Sequence, residues 1–161
     1  MEATAIQHDV IDTPKPRAKA DVITFGTVPR ALLHVVWPDV VKLLTPSIAT
    51  SGGKHNPEDI KKSIVSGVLV LWIVRSDDLK LIAAVTTRVI QYPQRKALAL
   101  DWVGGTRMSE WLPIAQPIIE NFAKDNKCDH LEGYGRKAWG RWGAKYNWKP
   151  EYIAYRMELN E

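Results

Sequence analysis

The chain carries one cysteine, Cys128, in 161 residues, so no disulfide can close within it. Its four histidines, His8, His34, His55 and His130, are scattered and form no Cys/His cluster of metal-ligand spacing. Each reads as a surface or packed histidine, and no metal site is expected. Long apolar runs are also missing: none approaches the ~20 residues of a membrane span. The acid-bearing N-terminal stretch lacks the apolar core of a signal peptide. Together these absences lead to the expectation of a soluble protein in a reducing compartment, with no membrane partner. What is present is an ordinary globular balance, 45% hydrophobic and 25% charged, in a length that suits one domain with a real core.

The formal charge of +4 is modest but unevenly spread. Between Gly133 and Lys149 stand Arg136, Lys137, Arg141, Lys145 and Lys149 with no acid among them. Such a local patch suits phosphate groups, nucleic acid or an acidic partner.

Residues 1–27 read as an extended arm. Thr13-Pro14-Lys15-Pro16-Arg17-Ala18-Lys19 has no hydrophobic period, and its prolines favour extended backbone. The domain proper is assigned to residues 28–161. From Pro29 to Leu44 the apolar residues Leu32, Leu33, Val36, Trp37, Val40, Val41 and Leu44 recur at helical spacing, with Pro38 expected to bend or split the helix. A second helix starts at Asn56 as N-cap, with Pro57 in its first position and Glu58 and Asp59 near the positive dipole end, and stops at Gly67. Val68–Val74 is a continuous apolar run, so a strand covered on both faces is predicted. Turns at Ser76-Asp77-Asp78 and Tyr92-Pro93-Gln94-Arg95 continue it into strands Leu81–Ile90 and Ala97–Val103, an antiparallel meander. A helix over Leu112–Lys127, a strand His130–Tyr134, a helical stretch Lys137–Tyr146 and a last strand with Ile153, Tyr155, Met157 and Leu159 alternating complete the order.

Two helices, a meander, a helix, a strand, a helix and a final strand form an order that resembles the GNAT acetyltransferase fold. That implies an α+β architecture, a mixed and mainly antiparallel sheet flanked by helices, here behind the extended N-terminal arm. Local sequence also resembles small GNAT-like proteins encoded among the head and tail genes of bacteriophages. The pieces are Pro57-Glu58-Asp59-Ile60, Gly67 with Leu71-Trp72, Val85-Thr86-Thr87 with Tyr92-Pro93, Val103-Gly104-Gly105, Trp111-Leu112, Lys127-Cys128 and Gly135-Arg136-Lys137-Ala138-Trp139.

The resemblance implies a cofactor site. In active members of the superfamily the fourth strand splays from the fifth and acetyl-CoA lies in the gap. Its pyrophosphate is held by backbone N–H groups of a Gln/Arg-x-x-Gly-x-Gly/Ala loop at a helix N-terminus, where free amides and the helix dipole stabilise an anion. The equivalent stretch here is Val103-Gly104-Gly105-Thr106-Arg107-Met108-Ser109. Gly104, Gly105, Thr106 and Arg107 are therefore the cofactor-binding candidates if coenzyme A binding survives. The Gly-x-Gly spacing is absent, and Pro113 and Pro117 are expected in the first turns of the helix, each removing an N–H. Many family members also use a tyrosine on the helix after the fifth strand as an acid. Trp142 takes that place here, and Tyr134 and Tyr146 fall out of register with it. Asp101 and Glu132 are the candidate general bases. No catalytic residue is assigned on this basis.

Tyr134, Trp139, Trp142, Tyr146 and Trp148 alternate with the five cations, a pattern that suits stacked bases and phosphates. Packing of the tryptophans onto the sheet is the preferred reading. The leading expectation is a non-catalytic structural or assembly component of a phage particle, in the virion or the host cytoplasm, with no cofactor. Its partners would be other phage structural proteins, met through the arm 1–27 and the basic segment 133–149. The alternative is an acetyl-CoA-dependent N-acyltransferase acting on an amine of a peptide or small molecule, and a third reading is nucleic-acid binding through residues 133–149.

Overall fold

The structure, a computed structural model, describes residues 22–159. Most of the predicted arm 1–27 lies outside the described residues. Its last part, Thr24–Thr27, is strand β1. A 3-10 turn, Arg30–Leu32, leads into α1, Leu33–Ala49, and α2 follows at Pro57–Ser66. Then come β2, Val70–Arg75, β3, Leu81–Gln91, and β4, Lys96–Gly105. Helix α3, Met108–Asp125, strand β5, His130–Gly133, and the short helix α4, Trp139–Gly143, close the order. The five strands lie in sequence order in one sheet; β1 to β4 pair antiparallel, and β5 joins β4 in parallel.

Helix α2 shows how locally its bounds are set. The Asn56 side chain accepts from the Asp59 N–H at 2.9 Å, while Asp59 Oδ2 accepts from the Asn56 N–H at 2.9 Å, a reciprocal capping box. Gly67 ends the helix at φ 87°, a left-handed conformation that favours glycine. Helix α1 runs through Pro38 and Pro46 as one helix, so Pro38 does not split it. Packing outweighs the lost hydrogen bond: Leu33, Val36, Val40, Leu44 and Ile48 form a buried stripe. Residues 30–49 have the length and apolar composition of a membrane span, but this stripe lies against the sheet.

Two cores sandwich the sheet. On one face α1 and α2 cover Leu71, Ile73 and Ala84, with Ile60 and Ile64 of α2 among them. On the other, Trp111, Ala115, Ile119 and Ala123 of α3 pack on Phe25, Trp72, Val74, Val85 and Leu98. Phe25 stacks on Trp72 with ring centroids 5.0 Å apart, and the Trp72 indole N–H donates to Thr87 Oγ1 at 2.9 Å. A buried Trp can thus keep its one polar atom satisfied. Each large apolar side chain removed from water contributes about 1.5–3 kcal/mol. The expected last strand is not found: residues 150–159 join no ladder and form no helix.

Gly104 fixes the crossing of α1 over β4. A Cβ there would lie 2.0 Å from the Leu43 carbonyl oxygen, a rigid helix backbone atom. Gly104→Ala should therefore lower stability by about 1–3 kcal/mol in urea unfolding. A loss below about 0.5 kcal/mol would show that α1 does not sit this close.

Candidate functional site

Strand β5 follows β4 for four pairs only, from Ala97–His130 to Leu100–Gly133. Beyond Leu100, β4 continues to Gly105 on its β3 side, where Gly105 pairs with Ala83. Residues 101–105 therefore have a paired edge and an edge from which β5 has departed. The ladder to β3 slips at this point: Thr87 faces Leu100 and Thr86 faces Trp102, so Asp101 is a bulge residue. The Thr86 hydroxyl accepts from the Trp102 N–H at 3.2 Å and repairs the break.

The open stretch of β4 runs straight into a helix start. Gly105 has φ 132°, and a Cβ on it would lie 2.3 Å from the Ile82 carbonyl oxygen. Glycine is thus required twice, at 104 and 105, by backbone crowding. The Thr106 N–H donates to Ile82 O at 2.9 Å. Arg107, in the left-handed region at φ 61°, is the N-cap of α3, and its carbonyl accepts from the amides of Glu110 and Trp111. The Trp111 indole N–H reaches back to Thr106 O at 3.0 Å and holds the loop down.

This geometry corrects the expected loss of amide donors. Helix α3 begins at Met108, four residues before the predicted start, so Pro113 and Pro117 lie beyond its first turn. The first-turn amides belong to Met108, Ser109, Glu110 and Trp111, none of them proline. Those of Met108 and Ser109 have no intrahelical partner, as at any helix start, and the positive end of the dipole lies there. The Arg107 guanidinium forks onto Glu110, Nε to Oε2 at 3.0 Å and Nη2 to Oε1 at 2.7 Å. That hydrogen bond holds the Glu110 carboxyl below its usual pKa.

A polar cluster begins one pair short of the opening, at Glu132 beside Ala99, and runs toward the β3–β4 turn. Glu132 on β5 accepts from Tyr92 Oη at 2.7 Å and from the Tyr134 hydroxyl, and meets His130 Nε2 at 2.9 Å. Arg95 Nε donates to His130 Nδ1 at 3.2 Å. A guanidinium can only donate, so Nδ1 is the acceptor and the neutral ring carries its proton on Nε2, pointed at Glu132. Burial works to raise the Glu132 pKa, but the hydrogen bonds from Tyr134, Tyr92 and His130 outweigh it and the group sits below its usual value. Burial and the bond to Glu132 push the Tyr134 phenol well above its ordinary range, so it stays protonated at neutral pH.

Of the two candidate bases, Asp101 is held in a fork by Arg88, Nε to Oδ2 at 2.7 Å and Nη2 to Oδ1 at 3.0 Å. A carboxylate tied to a guanidinium is poorly placed to take a proton. Glu132 is held instead by two phenols and an imidazole, so its negative charge is the one open to a cationic group. The sequence reading missed Tyr92 and the role of His130. The spacing 130, 132, 134 could have signalled that three polar side chains share one side of a strand.

The basic aromatic segment is only partly packed. Trp148 donates to Gln116 Oε1 at 3.2 Å and lies over Gly133 and Gly143. Trp139 and Trp142 remain 37% and 38% exposed, which corrects the expectation that the tryptophans pack onto the sheet. Tyr146 is half-buried, and all five cations are exposed.

The parted β4 and β5, with the bulge and the helix start between them, are the geometry of the GNAT acetyltransferase fold, and the chain has that fold. Solved structures agree. A tetramutant of the BH1408 protein from Bacillus halodurans superposes with a TM-score of 0.67 at 12% identity, covering 84% of this chain and 99% of that one. A predicted acetyltransferase from Clostridium acetobutylicum, solved with acetyl-CoA, gives 0.58 at 15% identity, covering 86% and 96%. The ribosomal-protein-alanine N-acetyltransferase of Brucella melitensis biovar Abortus gives 0.62 at 11% identity, covering 86% and 99%. No protein-family model matches the sequence, and no curated protein does. The expectation of a non-catalytic phage particle component is corrected by this finding. The neighbours named here include acetyltransferases, one of them with acetyl-CoA.

The depressed Glu132 pKa has a testable consequence. The ionised group stabilises the fold above the unfolded carboxylate value of about 4.3, and that contribution is lost as pH falls through the lower folded value. Tyr134→Phe removes one donor and should raise the Glu132 pKa in a carboxyl NMR titration. An unchanged value would show that the phenol does not hold the carboxylate.

Proposed function

We propose that the chain is an acetyl-CoA-dependent N-acyltransferase acting on the amine of a peptide or small molecule. The observation that carries this reading is the open edge of β4, residues 101–105, which ends at the N-terminus of α3 and is bordered by Glu132. The residues present fit the cofactor. An extended, amide-bearing arm can add to an open strand edge as another strand would. The amides of Met108 and Ser109, with the dipole behind them, suit a diphosphate. Gly104 and Gly105 let α1 and β3 close on this end of β4, and Thr106 and Arg107 shape the loop.

Acetyl-CoA, when bound, supplies a thioester carbonyl for attack by an amine. The protein's own residues hold the amine. Glu132 stays ionised and attracts an ammonium group; His130 and Arg95 behind it fix the carboxylate's orientation. Tyr134 keeps its proton and donates it in a hydrogen bond to Glu132. Trp142 has no part in this chemistry, since an indole N–H is no acid near neutral pH. We place the activity in the cytoplasm.

Calorimetric titration with acetyl-CoA, paired with a thiol-release assay over a panel of amines, tests the reading. Micromolar binding is expected. Ser109→Pro, which deletes one first-turn amide at a position where a helix tolerates proline, should weaken binding about tenfold. Glu132→Gln should lower kcat and leave acetyl-CoA affinity intact. Absence of binding heat at millimolar acetyl-CoA would refute the proposal.

A further inference from the structure

The cations that follow β5, Arg136, Lys137, Arg141, Lys145 and Lys149, are all exposed. None is in an ion pair among the described residues. Arg136 and Arg141 differ even from the other exposed arginines. The Arg30, Arg95 and Arg156 guanidinium groups each donate to a backbone carbonyl, and these two donate to nothing. Like charges gathered without partners repel one another, so the fold itself gains nothing from them. Acids on the neighbouring elements do not answer them: Glu120 of α3 accepts from Gln116, and Glu132 of β5 from two phenols. Glu151 is exposed and pairs with none of them.

The aromatic side chains among these cations are presented, not packed away. Trp148 anchors the far end through its bond to Gln116 at 3.2 Å. At the near end the Trp139 indole lies on Gly135, where a Cβ would come within 2.5 Å of Trp139 Cδ1. Backbone thus holds one side of that ring, yet Trp139 is 37% exposed, Trp142 38% and Tyr134 53%. Trp142 is three residues from both Trp139 and Lys145, so the helical turn sets it between a second indole and a cation.

We propose that residues 134–149 bind single-stranded nucleic acid, with phosphates on Arg136, Lys137, Arg141 and Lys145 and bases stacked on Trp139 and Trp142. The charge calls for a polyanion and the indole faces call for flat rings; a single strand offers both. An acidic peptide would answer the cations and leave the indoles in water. A duplex keeps its base faces stacked inside. The surface does not depend on the acyltransferase reading, and neither result decides the other.

Fluorescence anisotropy of a labelled oligothymidylate of about 20 nucleotides, titrated with the full chain at several salt concentrations, provides the test. Micromolar binding is expected at low salt. The logarithm of the binding constant should fall against log salt with a slope of about −2 to −3.5, as about three to five phosphates release counterions. Arg136→Gln with Arg141→Gln should make that slope shallower by about 1.4. Trp142→Ala should weaken binding about tenfold and leave the slope unchanged, since stacking releases no counterion. Lys42→Gln with Lys62→Gln, two exposed cations of α1 and α2, should leave affinity and slope as they are. No binding at low salt, a Trp142→Ala variant that binds like the wild type, or an equal loss from the lysine control would overturn the proposal. So would polyglutamate that competes as well as unlabelled oligothymidylate. Should Trp142→Ala unfold, quenching of the wild type's tryptophan emission by the oligonucleotide decides, and emission unchanged at saturation counts against stacking.

Discussion

From Asp101 to Gly105 the main chain of β4 is laddered to β3 but has been left by β5, and the rest of the site follows from that asymmetry. Backbone donors and acceptors at a strand edge demand partners, so such an edge is either covered, hidden or used. The features that part the strands are specific. Asp101 adds a residue to β4 and turns the strand, while α1 crosses so closely over Gly104 that no side chain fits. The strand's far end therefore follows α1 and β3. The gap is a property of the bulge and of α1 packing on one face of the sheet.

Electrostatics then divides the two carboxylates near the gap. Asp101 is locked by a two-point fork to Arg88 and serves the architecture of the bulge. Glu132 accepts from two phenols and an imidazole, which keep it ionised. That contrast makes one carboxylate a structural clamp and leaves the other's negative charge for a cationic group.

Legibility in the sequence tracked how local each determinant is. The Asn56 N-cap and the Gly67 stop are set within a dozen residues, and both were readable; the reciprocal bond from the Asn56 N–H to Asp59 was not read. The antiparallel meander was readable as well, from turn residues between apolar runs. The start of α3 was not, because Arg107 caps it in a left-handed conformation where Ser, Thr, Asp or Asn is the usual signal, and Pro113 drew the predicted start toward itself. Strand β1 is only Thr-Phe-Gly-Thr, and its membership depends on pairing with β2 some fifty residues later. The Glu132 network joins β5 to the β3–β4 turn, where Tyr92 and Arg95 sit, a contact no local pattern encodes. The alternation over 153–159 was real but has no partner strand among the described residues.

The most direct test of the central claim is residue-resolved amide NMR during titration with acetyl-CoA. The account predicts the largest shift changes along 101–105 and at Met108 and Ser109, with the paired segment 97–100 little moved. Changes confined to other surfaces, or none at saturating ligand, would contradict it.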